Sequence, residues 1–133
     1  MSNHASGTLE LKSWQEAPYS ETTGGPRLVR ASVAKSFHGD IEANGTLEYL
    51  VVYLDDGSAS FMGLEQVVGR IGDRAGSFVL RHDGTFEGTT ARATWSVVPD
   101  TGTGELRGLR GEGGFVWGHG EAGVMTLDHD FSG

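Results

Sequence analysis

The chain of 133 residues has no cysteine. That one absence removes disulfide staples, thiolate nucleophiles, thiolate zinc sites and Cys-ligated iron–sulfur clusters. Long apolar runs are missing too, since none approaches the roughly 20 residues that a membrane-spanning helix needs. Residues 1–7 carry neither a basic leader nor an apolar stretch, so no secretory signal is expected and the cytoplasm is the default compartment. Basic residues are few, 10 against 18 acidic ones, for a formal charge of −8. A surface of that sign repels a phosphate backbone, and no basic cluster with interleaved aromatics offsets it. Neither nucleic acid nor a membrane is an expected partner.

Proline is scarce at 3 and glycine abundant at 22. The glycines have no three-residue period, which excludes a collagen helix, and the chain holds too much Val, Leu and Phe for a low-complexity linker. The length suits one domain over residues 1–133, with 1–6 expected as a disordered tail. A chain of this mass can bury about two-thirds of its unfolded surface, enough for a core without staples.

Helical periodicity is also lacking. Apolar residues instead recur with period two, the signature of half-buried strands. Strands are expected at 8–14, 28–37, 41–54, 58–71, 74–82, 85–98, 104–111 and 123–131. Residues 17–26 read as a mobile connection, and Asp56-Gly57 and Asp83-Gly84 as hairpin turns, because Asp-Gly supplies the positive φ of primed turns. Long sequential strands with short turns point to an all-β fold, a single eight-stranded antiparallel β-barrel closed like a lipocalin. Glycines inside the strands, among them Gly45, Gly63, Gly69, Gly76 and Gly88, suit the bends that barrel closure demands. A closed sheet of this size has a lumen that is either filled by side chains or open to one small ligand. Small residues on the inward parity (Ala31, Ala43, Ala91, Ala93) favour the open form.

Four segments together carry a family resemblance. They are Ser13-Trp14-Gln15-Glu16-Ala17-Pro18-Tyr19, Phe61-Met62-Gly63-Leu64-Glu65, Gly76-Ser77-Phe78-Val79-Leu80-Arg81-His82-Asp83-Gly84 and Gly102-Thr103-Gly104-Glu105-Leu106-Arg107-Gly108-Leu109. From about residue 7 to about residue 131 the chain resembles a bacterial family of unknown function whose barrels are of the allene-oxide-cyclase type. The resemblance implies a fold. It also raises the expectation of cyclase or isomerase chemistry that uses no cofactor, although no catalytic residue of the plant cyclases maps onto this sequence.

Face assignment then nominates residues. If the polar parity lies outside, Tyr49, Tyr53, Phe78, His82, Trp95 and Met125 point inward. Strand 58–71 reads either way: Phe61, Gly63, Glu65 and Val67 inside, or Met62, Leu64, Gln66 and Val68. The family-like segment centred on Gly63-Leu64-Glu65 favours the first. An inward Glu65 beside an inward His82 is a carboxylate–imidazole pair able to move protons in a dry cavity. The competing reading has Glu65 capping a turn or pairing with Arg74, and His82 merely closing a barrel end. Tyr49, Tyr53, Phe61, Phe78, Trp95 and Met125 are the candidate ligand-binding residues, or else ordinary core filling. The five histidines lack ligand spacing, so no metal site is expected. The resulting expectation is a cofactor-free cyclase or isomerase for a small apolar organic molecule. A carrier or sensor is the alternative, as is a structural homo-oligomer with a filled barrel; a homodimer fits any of these.

Overall fold

The computed structural model describes residues 3–132, and its eight strands close into an antiparallel barrel in sequence order. They are β1 (Asn3–Glu21), β2 (Arg27–Gly39), β3 (Ile41–Tyr53), β4 (Ala59–Ile71), β5 (Arg74–Glu87), β6 (Thr90–Val97), β7 (Leu109–Gly118) and β8 (Gly123–Phe131). A single 3-10 turn, Gly104–Leu106, interrupts the β6–β7 connection. No helix among the described residues is long and apolar enough to cross a membrane. Alternation decides the inside. On β3, Leu47, Tyr49 and Val51 are buried while Thr46, Glu48 and Leu50 face out, and on β4 Glu65 and Val67 are buried while Met62, Leu64, Gln66 and Val68 are exposed.

Several boundaries differ from the sequence reading. Asn3–Ser6 are not a tail: they open β1 and pair with Thr126–His129 of β8. Met1 and Ser2 lie outside the described residues. Residues 17–21 continue β1 along β2, so the connection shrinks to 22–26. A register shift between Leu11 and Ser13 bulges β1 at Lys12 and reverses the parity beyond it, so Trp14 packs inward against Tyr49. Above Leu9, β1 pairs with β2 alone, which leaves room for Pro18 and its missing N–H.

Asp83-Gly84 is not a turn. β5 runs straight through it, with Gly84 opposite Phe61 on β4 and Ala93 on β6, and the chain reverses at Gly88 instead. A Cβ on Gly84 would strike the edge of the Phe61 ring, so glycine here makes space rather than a bend. Residues 104–108 do not form strand either. The 98–108 connection lies along the part of β5 that β6 leaves unpaired: Val98 N–H donates to Val79 O, and Thr103 N–H to Ser77 O, at 2.9 Å each. Thr101 and Thr103 hydroxyls accept from the N–H groups of Val79 and Ser77.

The two ends of the barrel are unlike. At the end carrying the 98–108 connection, Leu106 is fully buried and packs in one apolar cluster with Ile41, Ile71, Phe78, Val97 and Leu109. That end is sealed. A second cluster, built on Val29, Ala31, Val33, Leu47, Tyr49 and Val51, lines the other half.

Candidate functional site

The barrel opens at the end formed by the 22–26, 54–58, 88–89 and 119–122 turns. A cavity of about 970 Å³ enters there, between walls that include Val33, Val51, Tyr53, Ala59, Phe61 and Ala91. One side of its mouth is a gap: the upper part of β1 has no β8 partner, so Leu11 and Trp14 face residues 118–122 across open space. At the rim the Trp14 indole N–H and the Tyr53 hydroxyl both donate to Glu16 Oε2, at 2.9 and 2.8 Å. Partial burial, and then that hydrogen bond, push the Tyr53 phenol up to about 12. Trp117 holds the opposite rim through an indole N–H donated to Glu121 O at 2.8 Å.

Polar groups wait at the floor. Glu65 and His82 project inward from the paired strands β4 and β5 and are 0% and 1% exposed. His82 Nε2 lies 2.7 Å from Glu65 Oε1. A carboxylate can only accept, so Nε2 carries the proton and donates. Nδ1 is then the acceptor, and the Tyr49 hydroxyl, 3.0 Å away on β3, donates to it. The imidazole is boxed by rings that fix its orientation. Trp95 and Tyr49 stand edge-on at 5.2 and 5.5 Å, and Phe115 lies at 5.9 Å.

Lys35 on β2 completes the cluster. Its Nζ is 3.3 Å from Glu65 Oε1 and 5.1–5.4 Å from the ring centroids of Phe37, Trp95 and Phe115. Glu65 Oε1 thus serves both His82 and Lys35. Oε2 has no hydrogen-bond partner among the described residues and rests against the bare Cα of Gly45, where any side chain would overlap it. Among the described residues no group of three or more His, Cys, Asp and Glu could hold a metal ion.

Burial governs the charges here. It pushes the Lys35 amine below the usual lysine range, with the Glu65 carboxylate opposing in part. It also lowers His82; the hydrogen bond to Glu65 opposes this, and the Lys35 charge reinforces it, so the neutral imidazole is favoured. Tyr49 is pushed well above the ordinary phenol value by burial and then by the nearby Glu65 charge. The resting arrangement is a carboxylate, a neutral imidazole and a neutral phenol in series.

The nominated residues separate into three places. Glu65, His82 and Tyr49 meet at the floor, and Phe61 stacks beside Tyr49 at 4.7 Å. Tyr53 stands at the rim. Trp95 lies under His82 with its indole N–H spent on Thr126 O at 3.0 Å, while Phe78 and Met125 belong to the packed cluster; none of these three lines the cavity. Glu65 and His82 do not touch the cavity either: Tyr49 and Lys35 are the members of the cluster that do. Arg74, the alternative partner for Glu65, instead lies over the Phe131 ring at 4.2 Å. Lys35 escaped the sequence reading although it stands at an inward position between Val33 and Phe37. A lysine on an otherwise apolar parity was the available signal.

A sequence pattern described as "Protein of unknown function (DUF3224)" matches residues 5–129. The crystal structure of a protein of unknown function from that family, from Shewanella oneidensis MR-1, superposes with a TM-score of 0.81 at 30% identity, covering 100% of both chains. No curated protein matches the sequence. A match over nearly the whole length of the barrel, rim and floor included, places the chain in a family: it belongs to DUF3224.

Proposed function

We propose that this barrel binds a small, largely apolar organic molecule bearing an oxygen at one end, and that it moves a proton on that molecule without a cofactor, as a cyclase or isomerase does. The observation that carries the reading is a cavity of about 970 Å³ whose apolar walls lead down to Tyr49 and Lys35, the members of a buried polar cluster that line it. The size lies at the upper end of the range for ligand pockets, and a few convergent polar groups under apolar walls are the usual composition of such sites. The oxygen of the ligand sits at the floor and its body among Val33, Val51 and Phe61.

The proton path runs through Tyr49. Its hydroxyl hydrogen is committed to His82 Nδ1, so its lone pairs are free to accept from a ligand O–H or an acidic C–H. As that proton arrives, the phenol proton shifts to Nδ1 and the imidazolium formed is held by Glu65 at 2.7 Å. His82 and Glu65 therefore act through Tyr49, which supplies the contact. The sequence resemblance that led to the expectation of an allene-oxide-cyclase type of barrel points to the same class of chemistry.

A carrier is the second reading, favoured by the absence of Glu65 and His82 from the cavity surface. Hydrogen–deuterium exchange at the α-carbon of acetophenone in D₂O separates the two. The catalyst reading expects exchange above the buffer rate, reduced about 10²-fold or more in Tyr49→Phe with binding retained, the usual scale for removing a proton-transfer group. Binding without any acceleration leaves the carrier. Native mass spectrometry of protein purified from its own host should find a small molecule bound under either reading.

A further inference from the structure

The cluster contains more than a proton relay needs. Glu65, His82 and Tyr49 form the relay, and Lys35 is outside it, yet Lys35 reaches the cavity while Glu65 and His82 do not. A lysine buried only to neutralise Glu65 has no need to face a ligand. Its surroundings are also those of a nucleophile. Lys35 is buried, and the loss of water disfavours its charged form, opposed in part by the Glu65 carboxylate and by the faces of the Phe37, Trp95 and Phe115 rings. A carboxylate oxygen 3.3 Å away can take the ammonium proton, and the other oxygen, Oε2, has no partner of its own. Desolvated lysines of this kind add to carbonyl compounds.

We propose that Lys35 forms a reversible imine with an aldehyde or ketone held in the cavity. The Nζ lone pair attacks the carbonyl carbon, a C–N bond forms, and the C=O π pair moves to oxygen, which takes up a proton. The C–O bond then breaks, water leaves, and a C=N bond joins ligand to lysine. Nothing is oxidised or reduced. Glu65 receives the proton that the ammonium sheds. Tyr49, with His82 behind it, is the hydroxyl on the same floor that accepts a proton from the carbinolamine and returns it to the departing oxygen. The ligand class follows: a small apolar aldehyde or ketone, not a carboxylic acid. With Lys35 already facing Glu65, a second carboxylate would leave the buried cluster with one unpaired negative charge, which burial strongly disfavours.

This inference rests on the ligand-binding reading above, and a single probe tells their failures apart. The chain has two lysines, Lys12, half exposed on the β1 bulge, and Lys35, so each protein carries an internal control. Benzoylacetone, an apolar β-diketone, gives a stable enaminone with a reactive lysine. Titrated into the intact protein, it should produce the near-ultraviolet enaminone band at one equivalent, and borohydride with an apolar aldehyde such as hexanal should fix a secondary amine at Lys35. Peptide mapping of the unmutated protein locates the adduct. Lys12→Arg should leave the yield unchanged, and Lys35→Arg, which keeps the charge and whose fold is checked by circular dichroism, should abolish it. Benzoylacetone that quenches tryptophan fluorescence but yields no adduct at Lys35, or an adduct no more frequent there than at Lys12, overturns the imine and leaves the cavity reading in place. Neither quenching nor adduct overturns both.

Discussion

The two halves of this barrel are built from the same strands and alternate in the same way, yet one is solid and the other hollow. In the sealed half, large residues meet across the lumen, with Phe37, Phe78, Leu80 and Leu127 all at 2% exposure or less and Leu106 pushed in from the 98–108 connection. In the open half, Val33, Val51 and Ala59 occupy corresponding inward positions, and among the described residues no segment folds over the end. The cavity is therefore a matter of side-chain volume and of one loop, since strand number alone leaves an eight-stranded barrel just wide enough to be filled. Between the halves lies the Lys35–Glu65–His82–Tyr49 cluster. Its apolar base excludes water from below, which heightens every charge interaction above it.

The largest expected difference lies at that boundary. Removing one member of a buried ion pair strands the other, which costs about 3–5 kcal/mol, whereas replacing both by apolar groups is far milder. Glu65→Leu and Lys35→Met should each lower stability on that scale, and the double variant should lose less than either alone. Urea denaturation of the four proteins gives the coupling directly. Additive losses would mean that the two groups do not share one electrostatic site.

The halves themselves are compared by a matched pair of truncations. Phe78→Ala in the sealed half opens a void in packed core and should cost about 3–5 kcal/mol. Phe61→Ala should cost clearly less, because its ring is only partly buried and borders space that is already empty. It should instead weaken benzoylacetone binding, which Phe78→Ala leaves intact wherever the protein remains folded. Equal losses of stability would mean that the open half is packed as tightly as the sealed one.

Much of this was legible in the sequence, for reasons that also explain the failures. Alternation in residues 41–53 and 74–82 reflects strands wet on one face and dry on the other, so eight strands, a barrel and an inward His82 could be read from parity. Parity left 58–71 open, and the family-like segment around Glu65 decided it. Parity fails where one residue is inserted. The bulge at Lys12 turned Trp14 and Glu16 toward the mouth, and nothing local in Leu11-Lys12-Ser13 announces it. Lys35 was overlooked for a different reason: polar residues were presumed to face water, and a lysine is buried only when a partner from a distant strand, here Glu65 on β4, accepts its charge. Glycine misled at Gly84, where close packing against Phe61 and the β6 backbone requires it in a straight strand. It misled again in β7, whose Gly113 and Gly114 press against the Thr126 and Ala93 carbonyls and look too loose for a strand when read alone.

A smaller effect separates the floor from the surface by pH. His82 has a folded value below its ordinary 6.5 because burial penalises the imidazolium. The unfolded chain therefore binds a proton that the folded chain refuses, starting near 6.5. Stability is full above that pH and declines as the pH falls toward the folded value. The urea midpoint should drop between about pH 6.5 and 5, a window above the range where the carboxylates Glu42, Glu48 and Asp56 take up protons. His82→Phe should flatten this decline. At the alkaline end the sign reverses for Tyr49, whose raised value makes stability fall as pH climbs past 10. A midpoint equally pH-dependent in His82→Phe would place the titrating group elsewhere.

The smallest expected effect comes from the same chemistry on the outer wall. Arg30 and Glu48, on the paired strands β2 and β3, make a two-pronged contact, with guanidinium nitrogens 2.9 and 3.1 Å from Glu48 Oε1. By distance it is a better ion pair than Lys35 with Glu65 at 3.3 Å. But its side chains are 66% and 46% exposed, so water and salt screen the attraction and either partner is rehydrated once the other is gone. Glu48→Gln should therefore leave the urea midpoint unchanged within error at ordinary ionic strength, while Glu65→Gln, which removes the same single charge, shifts it strongly. A comparable shift from both would mean that burial is not what gives the inner pair its weight. It would also remove the reason for treating the floor of the cavity as chemically different from the wall of the barrel.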